Sequence, residues 1–231
     1  MDISRRLSHY FNHHVEGVEK LPVGAAILVS PHGLVPWDGI LLGDVIFSRL
    51  GRRLHGMSHP YWFRVPGVRR VLTRRGFSVG TREGARTLLK QGALLHTMPG
   101  GVPEAFRPST QAYHLRWAHH RGYLRLALEV GVPVVPVATG GIDDLYEVSD
   151  TLWPGSQALF PGLKVGIPLA YGRGPLPWPF TLPRRRPLLT LVGEAIVLPK
   201  TRDLTDLDLT HLHEQVIHHT QELWWEARRR V

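Results

Sequence analysis

An α/β sandwich, built on a mixed and mostly parallel sheet flanked by helices, is the fold class this sequence predicts. Three observations predict it. Short apolar runs of strand length, at residues 25–29, 93–98 and 132–138, alternate with stretches whose apolar residues fall at helical spacing. The turns between them are short, and the order strand–helix–strand–helix–strand calls for parallel pairs. The chain of 231 residues can bury one substantial core and shows no repeat, linker or composition break, so 1–231 reads as a single domain.

Taken in order, residues 1–20 carry Ile3, Leu7, Tyr10 and Phe11 beside Arg5 and Arg6, which predicts a short amphipathic segment, packed or interfacial. Residues 25–29 form a buried strand. Ile40, Leu41, Val45, Ile46 and Leu50 predict a helix over 38–50 with Asp38 as its N-cap. The stretch 55–76 is aromatic, basic and too broken for a long core element. Thr81 caps a helix over 82–91 that turns Ala85, Leu88 and Leu89 inward and ends at Gly92. The strand at 93–98 stops at Pro99-Gly100-Gly101, where glycine permits close approach and positive φ.

Residues 102–114 read as a loop and 115–129 as a helix ended by Gly131. The strand at 132–138 terminates at Gly140-Gly141, and a further strand is expected at 163–169. Residues 174–187 are a proline-rich surface loop; 188–192 and 195–198 flank Gly193-Glu194. The last helix, 205–230, puts Leu209, Leu212, Val216, Leu223 and Ala227 on one stripe, with aspartates first and arginines last as the helix dipole favours.

Hydrophobic content of 43% and charged content of 20% suit a folded globular chain. A net charge of +9 attracts phosphate-bearing partners: phospholipid head groups, nucleic acid or coenzyme A. The absence of cysteine excludes disulfides, thiolate metal sites and a cysteine nucleophile. The leading residues lack the apolar core of a signal peptide, and no run approaches the roughly 18–20 apolar residues that span a bilayer. A cytoplasmic protein in peripheral contact with the inner face of the cell membrane is therefore expected.

Several chemistries drop out. There is no Gly-x-Ser-x-Gly elbow and no GxxxxGK[ST] phosphate loop, and Gly172-Arg173-Gly174 meets Pro177 where a dinucleotide fingerprint needs glycine. His213 and His218 are five apart, about 140° around a helix, so they do not form a zinc-protease pair. No metal site is expected. A nucleic-acid partner would rest on charge alone, and none is expected.

What remains is His32, delivered to the tip of a buried strand, with Asp38 opening the next helix. A histidine and a carboxylate so placed suit a general base and its orienter. Four blocks accompany them: Pro31-His32-Gly33 through Asp38, Met98-Pro99-Gly100-Gly101 with Glu104, Arg116-Trp117 through Tyr123, and the apolar 132–137. This ordered set resembles the glycerolipid acyltransferase superfamily, and most closely the branch containing transmembrane protein 68 and the monoacylglycerol and diacylglycerol acyltransferases. Trp117, Arg121, Gly122 and Tyr123 match that branch's Trp-x-x-x-(Lys/Arg)-Gly-(Phe/Tyr) helix, and Gly193-Glu194-Ala195-Ile196 its late Gly-Glu/Asp-x-Ile. The resemblance runs from about residue 18 to the C-terminus.

It implies an acyltransferase that moves a fatty acyl group from acyl-CoA, or from an acyl-carrier protein, to a glycerolipid hydroxyl, with no cofactor. His32 would be the base and Asp38 would orient its ring, although five residues separate them here where the family usually has four. Gly33, Gly100, Gly101, Glu104, Arg107, Arg121 and Tyr123 are the implied substrate-binding residues. Many phosphate-using members carry arginine beside the block's glutamate; Pro103 stands there instead, which favours a neutral acceptor such as mono- or diacylglycerol.

Two stretches suit a membrane surface: Trp62 and Phe63 with Arg64, Arg69, Arg70, Arg74 and Arg75, and Trp178 and Phe180 with Arg184, Arg185 and Arg186. The competing readings are a thioester or lipid hydrolase using the same pair, and a non-catalytic basic protein that binds lipid or nucleic acid.

Overall fold

The structure is a computed structural model that describes residues 3–154, 156, 166–200 and 204–231. In chain order the elements are α1 (Ile3–Tyr10), β1 (His14–Glu16), β2 (Ala26–Val29), α2 (Trp37–Leu50), β3 (Leu54–Ser58), α3 (Pro66–Arg74), β4 (Ser78–Val79) and α4 (Arg82–Lys90). There follow β5 (Leu94–Thr97), α5 (Gly101–Ala105), α6 (Gly122–Val130), β6 (Val134–Gly140), β7 (Glu147–Leu152), β8 (Pro168–Tyr171), β9 (Leu189–Val192) and α7 (Asp206–Arg229).

Seven strands form one sheet in the order β1-β9-β6-β2-β5-β3-β4, and β7 and β8 form a separate antiparallel ribbon. Every pairing in the large sheet is parallel except that of β6 with β9. The expected fold class, a mixed and mostly parallel sheet, is thus the one found.

Strand β2 shows why both faces carry helices. Its side chains alternate across the sheet. Ile27 and Val29 join a core with Leu89 of α4, Leu124 of α6 and Val216 of α7. Ala26 and Leu28 join another with Leu42 and Ile46 of α2. All four strand residues are buried, so the strand reads as a continuous apolar run. It lies between β5 and β6, and its C-terminal end, where His32 follows, is at the middle of the sheet.

The structure departs from expectation where local pattern and tertiary role conflict. The stretch 102–114, expected as loop, holds most of α5 and a 3-10 turn at Ser109–Gln111. The helix expected over 115–129 begins at Gly122: Leu115 and Trp117 turn inward from a non-helical segment in which Ala118 has φ +44°. The 55–76 stretch contains β3, a 3-10 turn and α3. Residues 195–198 make only an isolated bridge, Ile196 to Val134. The strand expected at 163–169 falls partly outside the described residues; of the described part, 168–169 belong to β8. The α1 segment is packed: Leu7 and Tyr10 lie against a core that includes Phe11, Leu41 and Trp224, and the Tyr10 hydroxyl donates to the Pro183 carbonyl at 2.8 Å.

Candidate active site

His32 follows Ser30 and Pro31 at the end of β2. Its backbone is held from both sides. The Glu104 carboxylate accepts the His32 N–H at 2.9 Å, and Arg107 Nη1 donates to the His32 carbonyl at 2.8 Å. Both partners come from the Pro99-Gly100-Gly101 block: β5 ends there, and α5 carries Glu104 back beneath the tip of β2.

The His32 ring is fixed by its neighbour. Nδ1 lies 2.7 Å from the Gly33 carbonyl oxygen. A carbonyl only accepts, so Nδ1 carries the proton and Nε2 bears the lone pair. Burial pushes the imidazole down to about 4; Arg107 pushes the same way, and the Gly33 carbonyl opposes. The ring is neutral at neutral pH, as a general base must be.

Glu104 is fully buried. Its two oxygens accept three N–H groups: the backbone of His32, the backbone of Arg116 at 2.9 Å and the indole of Trp117 at 3.2 Å. Burial pushes its carboxyl up to about 7, against the pull of Arg107 and these donors. Glu104 therefore ties β2 to the 115–121 segment, and its oxygens face donors of the protein rather than a substrate.

Arg107 is equally committed. Its guanidinium makes five hydrogen bonds, to the His32 carbonyl, the Glu104 carbonyl and both oxygens of Asp143. Nε and Nη2 thus grip the Asp143 carboxylate while Nη1 spans the two backbone carbonyls. The residue expected to bind substrate thus also braces the His32 tip. Asp143 also accepts the Tyr113 N–H at 2.8 Å, and nothing in the local sequence pattern identified it.

Asp38, the expected orienter, is not among the hydrogen-bond partners of the ring. Pro36 starts α2 at Trp37, so Asp38 is the second helical residue and not the cap. No hydrogen bond joins it to His32 among the described residues. Its Oδ1 is buried with no hydrogen-bond partner among the described residues. Burial pushes its carboxyl up to about 6, with Asp143 adding to the rise. The ring's own hydrogen bond is to the Gly33 carbonyl.

Three glycines of the motifs have steric reasons. A Cβ on Gly33 would come 2.7 Å from Ile142 Cγ1; one on Gly100 would come 2.5 Å from Glu104 Cβ; Gly101 has φ +56°. These positions let α5 close on the His32 tip.

Arg121 and Tyr123 make no hydrogen bond to His32, Glu104 or Arg107 among the described residues, although the Tyr123 ring packs edge-on to Trp117 with centroids 5.9 Å apart. Both lie at the start of α6 facing α7. Arg121 pairs with Asp206 at 3.3 Å, and the buried Tyr123 hydroxyl bonds His213 Nδ1 at 3.0 Å. Their motif marks the junction of α6 with α7.

The two aromatic stretches meet. The Trp62 and Trp178 rings stand edge-on with centroids 6.4 Å apart, and Trp178 lies 6.5 Å from Phe106, the residue after α5. Phe180, 68% exposed, packs edge-on to Trp153 beside exposed Leu152, Leu176 and Leu182. Among the described residues no group of histidines and carboxylates could hold a metal ion, and no helix is long and apolar enough to cross a membrane.

Comparison with known proteins gives a consistent picture. The family model described as diacylglycerol acyltransferase matches residues 8–231. The "DGAT1/2-independent enzyme synthesizing storage lipids" of Mus musculus is 32% identical over 133 residues, 58% of this chain and 40% of its own length. The "Diacylglycerol O-acyltransferase 2" of Dictyostelium discoideum is 28% identical over 182 residues, 75% of this chain and 55% of its own. The chain thus spans about half the length of these curated relatives, or less. Among solved structures, the 1-acyl-sn-glycerophosphate acyltransferase PlsC of Thermotoga maritima shares the fold, with TM-score 0.59 and 18% identity, covering 95% of this chain and 76% of that one.

Proposed function

The chain belongs to the diacylglycerol acyltransferase family, and from that premise we propose that it transfers a fatty acyl group from an acyl thioester, of coenzyme A or of an acyl-carrier protein, to the hydroxyl of a neutral glycerolipid. One observation carries the chemistry: the Gly33 carbonyl holds the His32 Nδ1–H, and no described residue bonds Nε2. That nitrogen is free to take the acceptor's proton.

In the proposed reaction the acceptor oxygen attacks the thioester carbonyl while Nε2 removes its proton. The new C–O bond forms, the C–S bond breaks, and the proton passes to the departing thiolate sulfur. Holding the tautomer and the backbone in place beforehand spares the transition state that ordering. Asp38 acts at a distance, as a buried group of the helix that follows.

The state of the cations favours an acceptor without phosphate. Arg107 is paired with the buried Asp143, Arg116 bonds Gln111, and Arg121 pairs with Asp206. The joined aromatic cluster, with exposed Phe180 and Leu182 and the nearby Arg185 and Arg186, supports docking of this face on a membrane. Radiolabelled acyl-CoA, offered with diacylglycerol, monoacylglycerol, lysophosphatidate or no acceptor, tests the proposal. Labelled acylglycerol is expected; release of free fatty acid alone, whatever the acceptor, would indicate a hydrolase and overturn it.

A further inference from the structure

Beside His32 lies a second buried histidine that the proposed reaction does not use. His96 sits on β5 opposite Leu28 of β2. Its Nε2 is 2.8 Å from the hydroxyl of Ser30, two residues before His32. Ser30 is 1% exposed and His96 3%, so the pair is closed to substrate. The other side of the ring meets α2: a Cβ on Gly39 would come 2.9 Å from His96 Cε1 and 3.2 Å from Nδ1.

One ring therefore touches both the strand tip that carries His32 and the helix start that carries Asp38. These two halves share no direct hydrogen bond. We propose that Ser30 and His96 form a positioning unit, in which the His96 ring, seated against Gly39, holds the Ser30-Pro31 turn and so sets where the His32 imidazole points. The proposal rests on the reading of His32 as the base.

Three features support the assignment. The Ser30 backbone N–H already bonds the Thr97 carbonyl at 3.2 Å, so the side-chain bond is a second tether on the same residue and fixes direction as well as position. Burial, with His32 adding to the effect, pushes the His96 imidazole down to about 4; it is a neutral partner and places no charge against the proton that His32 receives. Glycine at position 39 is the residue that lets α2 approach the ring.

The test uses Ser30→Ala, His96→Gln and His96→Asn in the full chain. A glutamine amide reaches the place of Nε2 and keeps the bond to Ser30; an asparagine amide stops near Nδ1 and loses it. Ser30→Ala and His96→Asn should lower kcat by about 10- to 100-fold, with KM within about twofold and melting temperatures at which the proteins remain folded. His96→Gln should restore most of kcat, and the Ser30→Ala/His96→Asn double variant should be no worse than either single variant. Nitrogen-15 NMR of the histidines gives a readout independent of turnover: His32 should show one Nδ1–H tautomer in the parent and a mixture in Ser30→Ala.

Parent-like kcat together with an unchanged His32 tautomer in Ser30→Ala would overturn the proposal. So would an acyl adduct on Ser30 by intact mass, since Ser30 would then be a nucleophile. If His32→Ala keeps full transfer, the reading of the base fails instead, and the NMR result still decides whether the pair positions the ring.

Discussion

The carboxylate of Glu104 accepts the backbone N–H of His32 at 2.9 Å, across 72 positions of sequence. With Arg107 on the carbonyl side, this bond makes the strand tip an anchored peptide unit instead of a loose loop. Glu104→Gln replaces one accepting oxygen with an NH2 that faces donors. An unsatisfied buried group costs about 1–3 kcal/mol, so the variant should melt lower and lose activity together; circular dichroism melting and the acyl-transfer assay check this.

Arg107→Lys keeps the charge but loses the planar fork that spans His32, Glu104 and Asp143. Breaking such a buried pair costs roughly 3–5 kcal/mol. The variant should be destabilised and slow toward every acceptor, with an unchanged ratio of lysophosphatidate to diacylglycerol use. A selective loss of the phosphate-bearing acceptor would assign Arg107 to substrate binding.

Asp38→Asn separates the two halves of the motif. The ring is held by the Gly33 carbonyl, so losing the Asp38 charge should lower kcat by no more than about tenfold, less than the 10²–10⁴ expected of a general base. Steady-state kinetics of Asp38→Asn beside His32→Ala measures the difference.

Acid should destabilise the fold between about pH 6.5 and 4. His13, His32 and His96 are each pushed down to about 4, mainly by burial. In that window the unfolded chain takes up protons that the native state does not, so lowering the pH favours unfolding. Glu104 and Asp38, raised by burial to about 7 and about 6, act the opposite way and soften the slope. Urea unfolding across this range should show stability falling toward acid, with a shallower fall in His96→Gln.

Trp178→Ala with Arg185→Ser and Arg186→Ser should weaken sedimentation with anionic phospholipid vesicles, each arginine contributing about 1 kcal/mol. Binding by the parent should weaken as salt rises. Unchanged binding by the triple variant would place the membrane face elsewhere.

The fold was legible because its central strands are buried on both faces, so the apolar runs at 25–29, 93–98 and 132–138 stand out without needing alternation. The short edge strands, His14–Glu16 and Ser78–Val79, carry too few residues to make a pattern. In the site, His32 and the glycine-rich block could be read from residue type and order. The roles around them could not. Whether Glu104 and Arg107 face a ligand or the backbone of His32 depends on how α5 folds back under β2, and that approach joins residues more than 70 positions apart. The His32–Asp38 spacing was legible as unusual, but the place of Asp38 as the second residue of α2 needed the helix start at Trp37. Ser30 and His96 carried no signal in the sequence, because their bond joins positions 66 residues apart.

The most direct test of the central claim is transfer of a labelled acyl group from acyl-CoA to diacylglycerol by His32→Ala, measured beside the parent chain with both proteins shown to be folded. Loss of transfer by about 10²- to 10⁴-fold, with the melting temperature little changed, is the predicted result. Transfer at the parent rate by the folded variant would contradict the account.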